Sequence, residues 1–416
     1  MIPKSKSEGP TFKYERISKK RSKMTLNVDN AYRITEKLAF PRLVGSPGEQ
    51  KAIQILVEEF KYAGYHSINR DNFKTSLYNW IYVRFIFLVL GSGLILLALS
   101  FYLTPFLTLA LTVFNLYASS KALKISTSLE IKLCKNENYN FSTENVFVNL
   151  KSQNSKGKIV FIAHWDSKSQ TFPTTIRMLI FLIFILGSLI LHLLYVILSI
   201  LRLFFNLTIP LLINLMLDAS IIIAVIGSFN YFNKTGNKSF GAFDNAAAVG
   251  VLIELARYYR ENPPVNTDLV FLSTGSEELN LGGIVHYINK YGEEFKEDTS
   301  FFINLDFVGG KDTIRLTTSY GIPRRSSSEK LNNLFFKNAE ELKVKIKDIY
   351  SPSGVWSDYM PIVQAGFEAC WLGSESGLKL VHTQNDNMKL VSKEGINNIL
   401  QLCWRAVNKL DDEFNH

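Results

Sequence analysis

The sequence predicts an α/β fold in which a mixed, mostly parallel sheet is sandwiched by helices, with two transmembrane helical hairpins inserted into it. Two observations support this prediction. In residues 233–416, short apolar runs typical of buried strands alternate with helical patterns, as in sheets that are covered by helices. Two long blocks upstream carry almost no charge, and each is long enough to form membrane-spanning helices.

The composition also favours a membrane protein. Hydrophobic residues make up 47% of the 416 residues, and the 30 phenylalanines are distributed unevenly. The net charge of +9 is not accompanied by any nucleic-acid-binding motif. We therefore expect the lipid bilayer, and no nucleic acid, as the partner of the basic residues. The three widely spaced cysteines predict no disulfide framework and fit a reducing compartment.

The N-terminal part divides into a basic tail and the beginning of the α/β domain. Residues 1–25 are polar and basic, and we expect them to be disordered or bound to a surface. Between 28 and 65, apolar residues recur at helical spacing on both sides of a Gly-Ser-Pro-Gly break at 45–48, which predicts two helices. A strand is predicted at 65–74. We assign 26–78 to the α/β domain.

The first apolar block, residues 85–120, contains 36 residues without a charge, whereas one spanning helix needs about 20. Thr104-Pro105 lies near its middle and is expected to turn the chain. We therefore predict a transmembrane hairpin over 79–120, with helices at about 81–103 and 106–120. The alternatives are one long tilted helix or a deeply buried soluble hairpin.

A second transmembrane hairpin is predicted over 177–232, where only Arg202 and Asp218 interrupt the apolar sequence after position 177. Its helices are expected near 178–200 and 209–231, with Arg202 in the turn. Asp218 would then lie inside the bilayer, where carboxylates are costly and often functional. The alternatives are pairing with Arg202 or with a histidine of the first helix, or a position at the membrane interface.

The charges also predict an orientation. Both hairpins leave and return on the same side, so the segments 121–176 and 233–416 join 26–78 on one face of the membrane. Basic residues flank the helices on that face: Lys121, Lys124, Lys168, Arg177, Lys234 and Lys238. The positive-inside rule places this face in the cytoplasm. The prediction is a multi-pass integral membrane protein with four spanning helices.

The strand predicted at 159–163 ends in two polar residues. His164 and Asp166 are one residue apart, so their side chains point the same way along an extended chain. A histidine that binds a divalent metal commonly has its tautomer fixed by a carboxylate. The alternative is a solvated strand end. The apolar run at 146–148 and the polar turn at 152–158 predict a hairpin into this strand.

The C-terminal half supplies further strands, helices and polar clusters. Strands are predicted at 268–273, 301–306, 314–318 and 368–373, and helices at 245–260, 280–291, 326–343 and 393–410. Polar clusters lie at the junctions, where α/β proteins place ligands: 241–245, 271–278, 304–306 and 381–383. Taken singly, each cluster has a simpler interpretation, because Asp-Asn often caps a helix and Glu-Glu often starts one.

Together the clusters offer two imidazoles and three carboxylates: His164, Asp244, Glu278, Asp306 and His382. Such a set can bind two divalent ions with one carboxylate bridging them. The mixture of nitrogen and oxygen favours zinc, although cobalt and manganese are compatible. Two ions can hold a water between them and lower its pKa. Glu277 stays free to take the proton from that water as a general base.

These clusters resemble those of the two-zinc aminopeptidases of the bacterial leucyl aminopeptidase type, whose fold recurs in transferrin receptor and glutaminyl cyclase. His-X-Asp, Asp-Asn opening a helix, Glu-Glu, Asn-Leu-Asp and a late His-Thr occur here in the order found in that family. The resemblance covers about 28–76, 143–168 and 238–410. It implies a zinc-exopeptidase-like α/β fold and a peptide substrate.

Carried over residue by residue, the resemblance implies that His164 and Asp306 bind one zinc ion and that Glu278 and His382 bind the other. Asp244 would bridge the two ions. The predicted function is a membrane-anchored, zinc-dependent exopeptidase, an aminopeptidase that hydrolyses N-terminal peptide bonds. Carboxypeptidase activity stays open, because relatives of both kinds share these ligands.

The resemblance also assigns two catalytic roles and shows two departures. Glu277 would be the general base, and Asp166 would orient the first histidine. The family has Ser-Asp-His where this chain has Ser-Asp-Tyr at 357–359, and it often has Tyr where this chain has Val381. A zinc ion or Tyr359 would then have to stabilise the oxyanion.

The spacing of the ligands adds a prediction about substrates. His164 and Asp244 are separated by the second predicted hairpin. We therefore expect the metal site close to the bilayer surface, with a hydrophobic or membrane-associated peptide as substrate. The alternative is that the hairpins only anchor the enzyme.

Two rival functions remain open at this point. Asp166-Ser167-Lys168 resembles a segment of the glutaminyl cyclases, acyltransferases that use one zinc ion. Some relatives of the family are non-catalytic receptors, but such proteins usually lose ligands that are all present here.

Overall fold

The α/β domain is built on a nine-stranded sheet. A computed structural model of the protein describes residues 25–126, 130–321, 323–351 and 357–415, so the predicted tail at 1–25 lies almost wholly outside the described residues. The strands are β1 (Asn69–Ser76), β2 (Asn140–Leu150), β3 (Gly157–His164), β4 (Ser169–Gln170), β5 (Thr235–Gly236), β6 (Thr267–Thr274), β7 (Ser300–Leu305), β8 (Ile314–Tyr320), β9 (Arg325–Ser326), β10 (Ile346–Ser351) and β11 (Glu368–Ser374). β4 and β5 pair only with each other.

The strand order is β1-β2-β6-β3-β7-β11-β8-β10, with β9 paired to β8. The four central strands β6, β3, β7 and β11 run parallel to one another, as do β8 and β10. The remaining strand pairs are antiparallel: β1 with β2, β2 with β6, β8 with β11 and β8 with β9. The prediction of a mixed, mostly parallel sheet is confirmed.

The predicted hairpin between β2 and β3 is wrong, because β6 lies between these two strands. β2 pairs antiparallel with β6, for example at Phe147 and Leu272, and β6 pairs parallel with β3. The polar segment 151–156 does reverse the chain, but it crosses the width of one intervening strand, about 10 Å, instead of closing a tight turn. The strand that fills the gap comes from more than 100 residues later in the sequence.

Eleven helices are described. They are α1 (Val28–Leu38), α2 (Pro47–Tyr62), α3 (Tyr78–Leu103), α4 (Pro105–Ser126), α5 (Thr174–Phe205), α6 (Pro210–Ser228), α7 (Ala247–Glu261), α8 (Gly282–Tyr291), α9 (Glu329–Leu342), α10 (Tyr359–Gln364) and α11 (Lys393–Glu413). α1, α2, α7, α9 and α11 cover one face of the sheet, and α8 and α10 cover the other. The helices of the α/β domain predicted from the sequence are all present.

The central strands are buried on both faces. Ile159 and Phe161 of β3 face the side of α7, whereas Val160 and Ile162 face the side of α8. All four side chains are inaccessible to solvent. This double burial explains why the strand is apolar throughout until His164, where it reaches the edge of the sheet.

The two inserted hairpins pack together as a four-helix bundle. α3 contacts α4 and α6, and α5 contacts the same two helices. Leu94, Leu97, Tyr195 and Met216 form part of its core. α3 and α5 begin a few residues earlier than predicted, so that their first turns reach the α/β domain.

Three of the described helices are long and apolar enough to cross a membrane: Tyr78–Leu103, Thr174–Phe205 and Pro210–Phe232. α4 is not among them, since its second half carries Asn115 and Lys121. The fourth predicted span therefore stays a prediction.

Asp218 lies exposed on the outer surface of α6. The predicted pairing of this carboxylate with Arg202 or His192 is not seen among the described residues. Arg202 instead donates to the carbonyl of Phe101, and Nδ1 of His192 lies 2.6 Å from the carbonyl of Ser188.

Candidate metal centre

The five predicted ligands come together at one edge of the sheet. His164 ends β3, Asp306 directly follows β7, and Glu278 lies in the loop after β6. These strands are parallel neighbours, so their carboxyl ends meet at the same edge. Asp244 precedes α7, and His382 lies in the loop between β11 and α11. All five side chains are buried.

The donor atoms form two groups that share Asp244. In the first group, His164 Nε2 lies 3.2 Å from Asp244 Oδ1 and 3.4 Å from Asp306 Oδ1. In the second group, His382 Nε2 lies 3.1 Å from Asp244 Oδ2 and 3.2 Å from Glu278 Oε2. Each group offers three ligand atoms within 4.8 Å of one another. Asp244 thus presents one oxygen to each group, as a bridging carboxylate does.

The donor set fits two divalent cations. Nδ1 of His164 faces the backbone carbonyl of Asp166 at 3.1 Å, and Nδ1 of His382 faces Thr174 Oγ1 at 3.2 Å. With the proton on Nδ1, each Nε2 turns a lone pair toward carboxylate oxygens, and a shared cation removes that repulsion. Among the described residues no hydrogen-bond donor satisfies Asp244 Oδ2. Two imidazoles and three carboxylates are a suitable set for zinc.

The electrostatics of the pocket also favour positive charge. Burial acts to lower the pKa of His164, but Glu277 and three neighbouring aspartates outweigh it and raise that pKa well above its ordinary value. Burial acts to raise the pKa of Asp244, but the imidazoles of His164 and His382, when they carry a positive charge, hold that pKa below its usual range. Both shifts arise from the attraction between buried imidazoles and buried carboxylates, and carboxylates crowded in this way stabilise a cation among them.

Asp166 positions the loop that carries the two glutamates. Its Oδ1 accepts the N–H of Glu277 and its Oδ2 accepts the N–H of Glu278, each at 3.2 Å. Nδ1 of His164 is 3.6 Å from Asp166 Oδ1, farther than from the backbone carbonyl of the same residue. The Asp166 carboxylate was predicted to orient His164. In the structure, the backbone carbonyl of Asp166 lies closer to the imidazole and contributes to its orientation.

Glu277 lies beside the first ligand group. Its Oε2 is 3.9 Å from His164 Nε2, and its side chain keeps 10% exposure. Burial raises the pKa of Glu277 well above its ordinary value; His164 opposes this shift, and the neighbouring carboxylates of Glu278 and Asp306 add to it. A carboxylate with an increased proton affinity and access to the pocket is suited to accept a proton and return it.

The loop that carries Asp244 is held by residues that sequence reasoning did not single out. Asp386 accepts the N–H groups of Phe243 at 2.8 Å and of Asp244 at 3.2 Å. Gly241 has a left-handed backbone with φ of 56°, and a Cβ there would lie 2.5 Å from that of Ser167. In the sequence, Gly241 was noted only as the first residue of the polar cluster at 241–245, and Asp386 was not noted at all.

Arg42 joins three loops around the site. Its buried guanidinium donates hydrogen bonds to the backbone carbonyls of Leu38, Phe40, Trp165, Phe240 and Gly241. Burial lowers the pKa of Arg42 to about 10, which leaves the side chain charged at neutral pH. In the sequence, Arg42 lies just before the Gly-Ser-Pro-Gly break at 45–48, and no role was predicted for it.

The Ser-Asp-Tyr segment contributes through its serine. Ser357 Oγ donates to Asp306 Oδ2 at 2.6 Å. Tyr359 instead packs its ring against Tyr320 and Trp371, with centroid distances of 6.2 and 5.5 Å, and is fully buried in the core on the α8 side. This packing does not support the expectation that Tyr359 stabilises an oxyanion.

The base of the helix bundle lies directly against the site. Trp80, in the first turn of α3, donates its Nε1–H to the backbone carbonyl of Glu278 at 2.8 Å. Thr174, the first residue of α5, contacts His382 as described above. Sequence reasoning missed both residues, because tryptophan is common at any membrane interface and threonine is common at the start of any helix.

Comparisons with known proteins identify proteins to which this chain is similar. Residues 223–407 match the profile described as Peptidase family M28. Aminopeptidase YwaD of Bacillus subtilis (strain 168) is 27% identical over 181 residues, which are 40% of this chain and 37% of that protein. The match therefore spans little more than a third of that relative.

Solved structures share the fold at low sequence identity. BSAP, a zinc aminopeptidase from Bacillus subtilis, has a TM-score of 0.52 at 15% identity, covering 92% of this chain and 95% of that one. The glutaminyl cyclase of an Acidobacteriales bacterium has a TM-score of 0.53 at 15% identity, covering 98% and 100%. The comparisons confirm the resemblance to the two-zinc aminopeptidase family.

Proposed function

We propose that this chain is a membrane-anchored, zinc-dependent exopeptidase, an aminopeptidase that hydrolyses the N-terminal bond of peptides. The observation that carries the proposal is the pair of buried ligand groups that share Asp244, with Glu277 beside them. The match to a peptidase family and the similarity to an aminopeptidase support it. Two zinc ions held there would lower the pKa of a water and polarise the peptide carbonyl.

In this proposal the protein's own groups move the proton. Glu277 takes a proton from the attacking water and delivers it to the leaving amine. Asp166 fixes the main chain of Glu277 and of Glu278 through its two oxygens. These two hydrogen bonds hold the backbone of the base and that of the neighbouring metal ligand against the same carboxylate.

We also propose that the bundle spans the bilayer and that the α/β domain lies on its cytoplasmic side. Three apolar helices support the first part. Large apolar side chains cover the outside of the bundle, including Leu96, Val113, Ile190 and Leu211. Because the first turns of α3 and α5 contact metal-site residues, the site lies next to the proposed bilayer surface. A hydrophobic or membrane-associated peptide is the substrate that fits this position.

The substitution Glu277→Gln tests the proposed chemistry. It removes the base but no metal ligand, so we expect hydrolysis to fall by about a hundredfold or more while elemental analysis still finds two zinc ions per chain. Glu293→Gln, in an exposed turn after α8, is the matched control and should change neither quantity. Unchanged hydrolysis in Glu277→Gln would refute its role as the base.

Glutaminyl cyclisation is the second candidate function. The superposition on a glutaminyl cyclase and the Asp166-Ser167-Lys168 segment favour it. One zinc ion per chain, together with cyclisation of N-terminal glutaminyl peptides, would support this candidate over hydrolysis. Two bound zinc ions without turnover of any peptide would instead support a non-catalytic receptor.

A further inference from the structure

The two ligand groups are supported by different parts of the molecule. In the first group, the backbone carbonyl of Asp166 faces His164, and Ser357 donates to Asp306. Both partners belong to the α/β domain. In the second group, the two unshared ligands, Glu278 and His382, have partners in the α/β domain and are also contacted by the helix bundle.

His382 is held by the beginning of α5. Thr174 Oγ1 lies 3.2 Å from its Nδ1 and also accepts a hydrogen bond from Gln170 Nε2 at 2.9 Å. The backbone N–H of Gln170 donates to the carbonyl of His382 at 3.0 Å. Arg177, one turn further along α5, donates to Gln170 Oε1 at 3.3 Å. The hydroxyl of Thr174 thus contacts Nδ1 of His382, and it leaves Nε2 of that imidazole to face the second ligand group.

Glu278 is held by the beginning of α3. Trp80 donates to its backbone carbonyl, and Lys168 Nζ lies 2.7 Å from its Oε2. The same Lys168 Nζ lies 4.3 Å from the centroid of the Trp80 ring, within the range of a cation–π interaction. Lys168 and Glu278 are both buried, so solvent does not screen these contacts. Trp80 therefore contacts both the main chain of the ligand and the cation that faces its carboxylate.

We infer that Trp80 and Thr174 are positioning residues through which the membrane bundle sets the metal affinity of the second ligand group, while the first group is independent of the bundle. The inference rests on the proposed two-metal site. Partners that orient metal ligands commonly change metal affinity by about 10–100-fold. Loosening the bundle should therefore release one of the two ions first.

The test measures zinc affinity of each group separately, in the full-length chain stripped of metal and kept in detergent. Asp306→Ala disables the first group, and His382→Ala disables the second. In the Asp306→Ala background, Trp80→Phe and Thr174→Val should each weaken zinc binding by about tenfold or more, as measured by competition with a chromophoric chelator. Thr174→Ser, which keeps the hydroxyl, should restore it. In the His382→Ala background none of these changes should have an effect.

A matched control in the same bundle is Tyr102→Phe. It removes the hydrogen bond of 2.6 Å from the Tyr102 hydroxyl to Asn214 Oδ1. Tyr102 lies 22 residues after Trp80 in α3, about 33 Å along the helix. It should leave zinc affinity unchanged in both backgrounds. Titration of the chain with both groups intact provides a second measurement, in which Thr174→Val should weaken only one of two binding steps.

Equal weakening in both backgrounds would overturn the inference, because it would indicate a general loss of stability. The inference would also be overturned if, in the Asp306→Ala background, Trp80→Phe and Thr174→Val bind zinc as tightly as Tyr102→Phe does. If the unmodified chain binds fewer than two zinc ions, the proposed two-metal function fails, and the inference fails with it. If that chain binds two ions and the bundle variants bind them equally well, only the inference fails.

Discussion

Asp244 has the greatest consequence of any single residue, because its two carboxylate oxygens face different ligand groups. The backbone of its loop is fixed by Asp386 and by the left-handed Gly241. Its own side chain therefore needs little freedom to reach both histidines. Every ligand other than Asp244 serves one group.

This asymmetry predicts different metal contents for two similar substitutions. Asp244→Asn should lower the zinc content of the purified protein below one ion per chain, since an amide is a poor bridging ligand for both groups. Asp306→Asn should leave about one ion, because the second group stays intact. Elemental analysis of the two variants at matched concentrations makes the comparison. Two ions in Asp244→Asn would contradict the bridging role.

At this scale, the sequence predicted the residues that form the two donor groups and missed the residues that support them. His164 ends an apolar strand and Asp306 directly follows one, where a polar side chain is conspicuous from local pattern alone. The role of Trp80 and Thr174 depends on contacts with residues about 200 positions later in the sequence. No local spacing reports such contacts, so these two residues looked like ordinary helix starts.

Among the elements, the segment between α1 and α2 is important to the site although it holds no ligand. Arg42 on this segment donates to carbonyls at the end of α1, after β3 and before α7. One guanidinium thereby connects the loops of two ligands, His164 and Asp244. Loss of this side chain leaves several buried carbonyls without a donor.

We predict that Arg42→Met destabilises the protein by roughly 3 kcal/mol or more, because buried carbonyls lose charged donors without replacement. The thermal unfolding midpoint in detergent, followed by circular dichroism, measures the change. Arg405→Met is the control, since Arg405 pairs with Glu341 on the surface and contributes little. A midpoint for Arg42→Met that equals that of Arg405→Met would contradict the argument.

Element positions were more predictable than element neighbours. The helix predicted at 393–410 is Lys393–Glu413, and the strand predicted at 268–273 is Thr267–Thr274. Apolar periodicity specifies such elements locally. The pairing of β2 with β6 instead depends on burial of side chains far apart in sequence, so the local turn signal at 152–158 led to the wrong partner.

On the scale of the whole molecule, the bundle and the α/β domain meet at the metal site. The same helix starts that are proposed to enter the bilayer also contact Glu278 and His382. The insertion of a hairpin between His164 and Asp244 is thus a structural part of the site. A domain tethered by a distant anchor would show no such contacts.

The native cysteines allow the proposed orientation to be tested on the unsubstituted chain, with one variant as the control. Cys134 is half-buried in the α/β domain, whereas Cys370 and Cys403 are buried. A membrane-impermeant thiol reagent should therefore label the protein in sealed vesicles that expose the cytoplasmic face. It should fail to label the protein in vesicles of opposite orientation, and Cys134→Ser should abolish the signal. Labelling only in the opposite orientation would place the domain outside the cytoplasm.

The most direct test of the central claim is a peptide-library assay on the full-length protein in detergent, before and after removal of metal by a chelator. We predict release of N-terminal residues, loss of this activity with the chelator, and recovery on addition of two equivalents of zinc. Peptides with apolar N-terminal segments should be cleaved best. Hydrolysis that persists without metal, or exclusive release of C-terminal residues, would contradict the proposal of a two-zinc aminopeptidase.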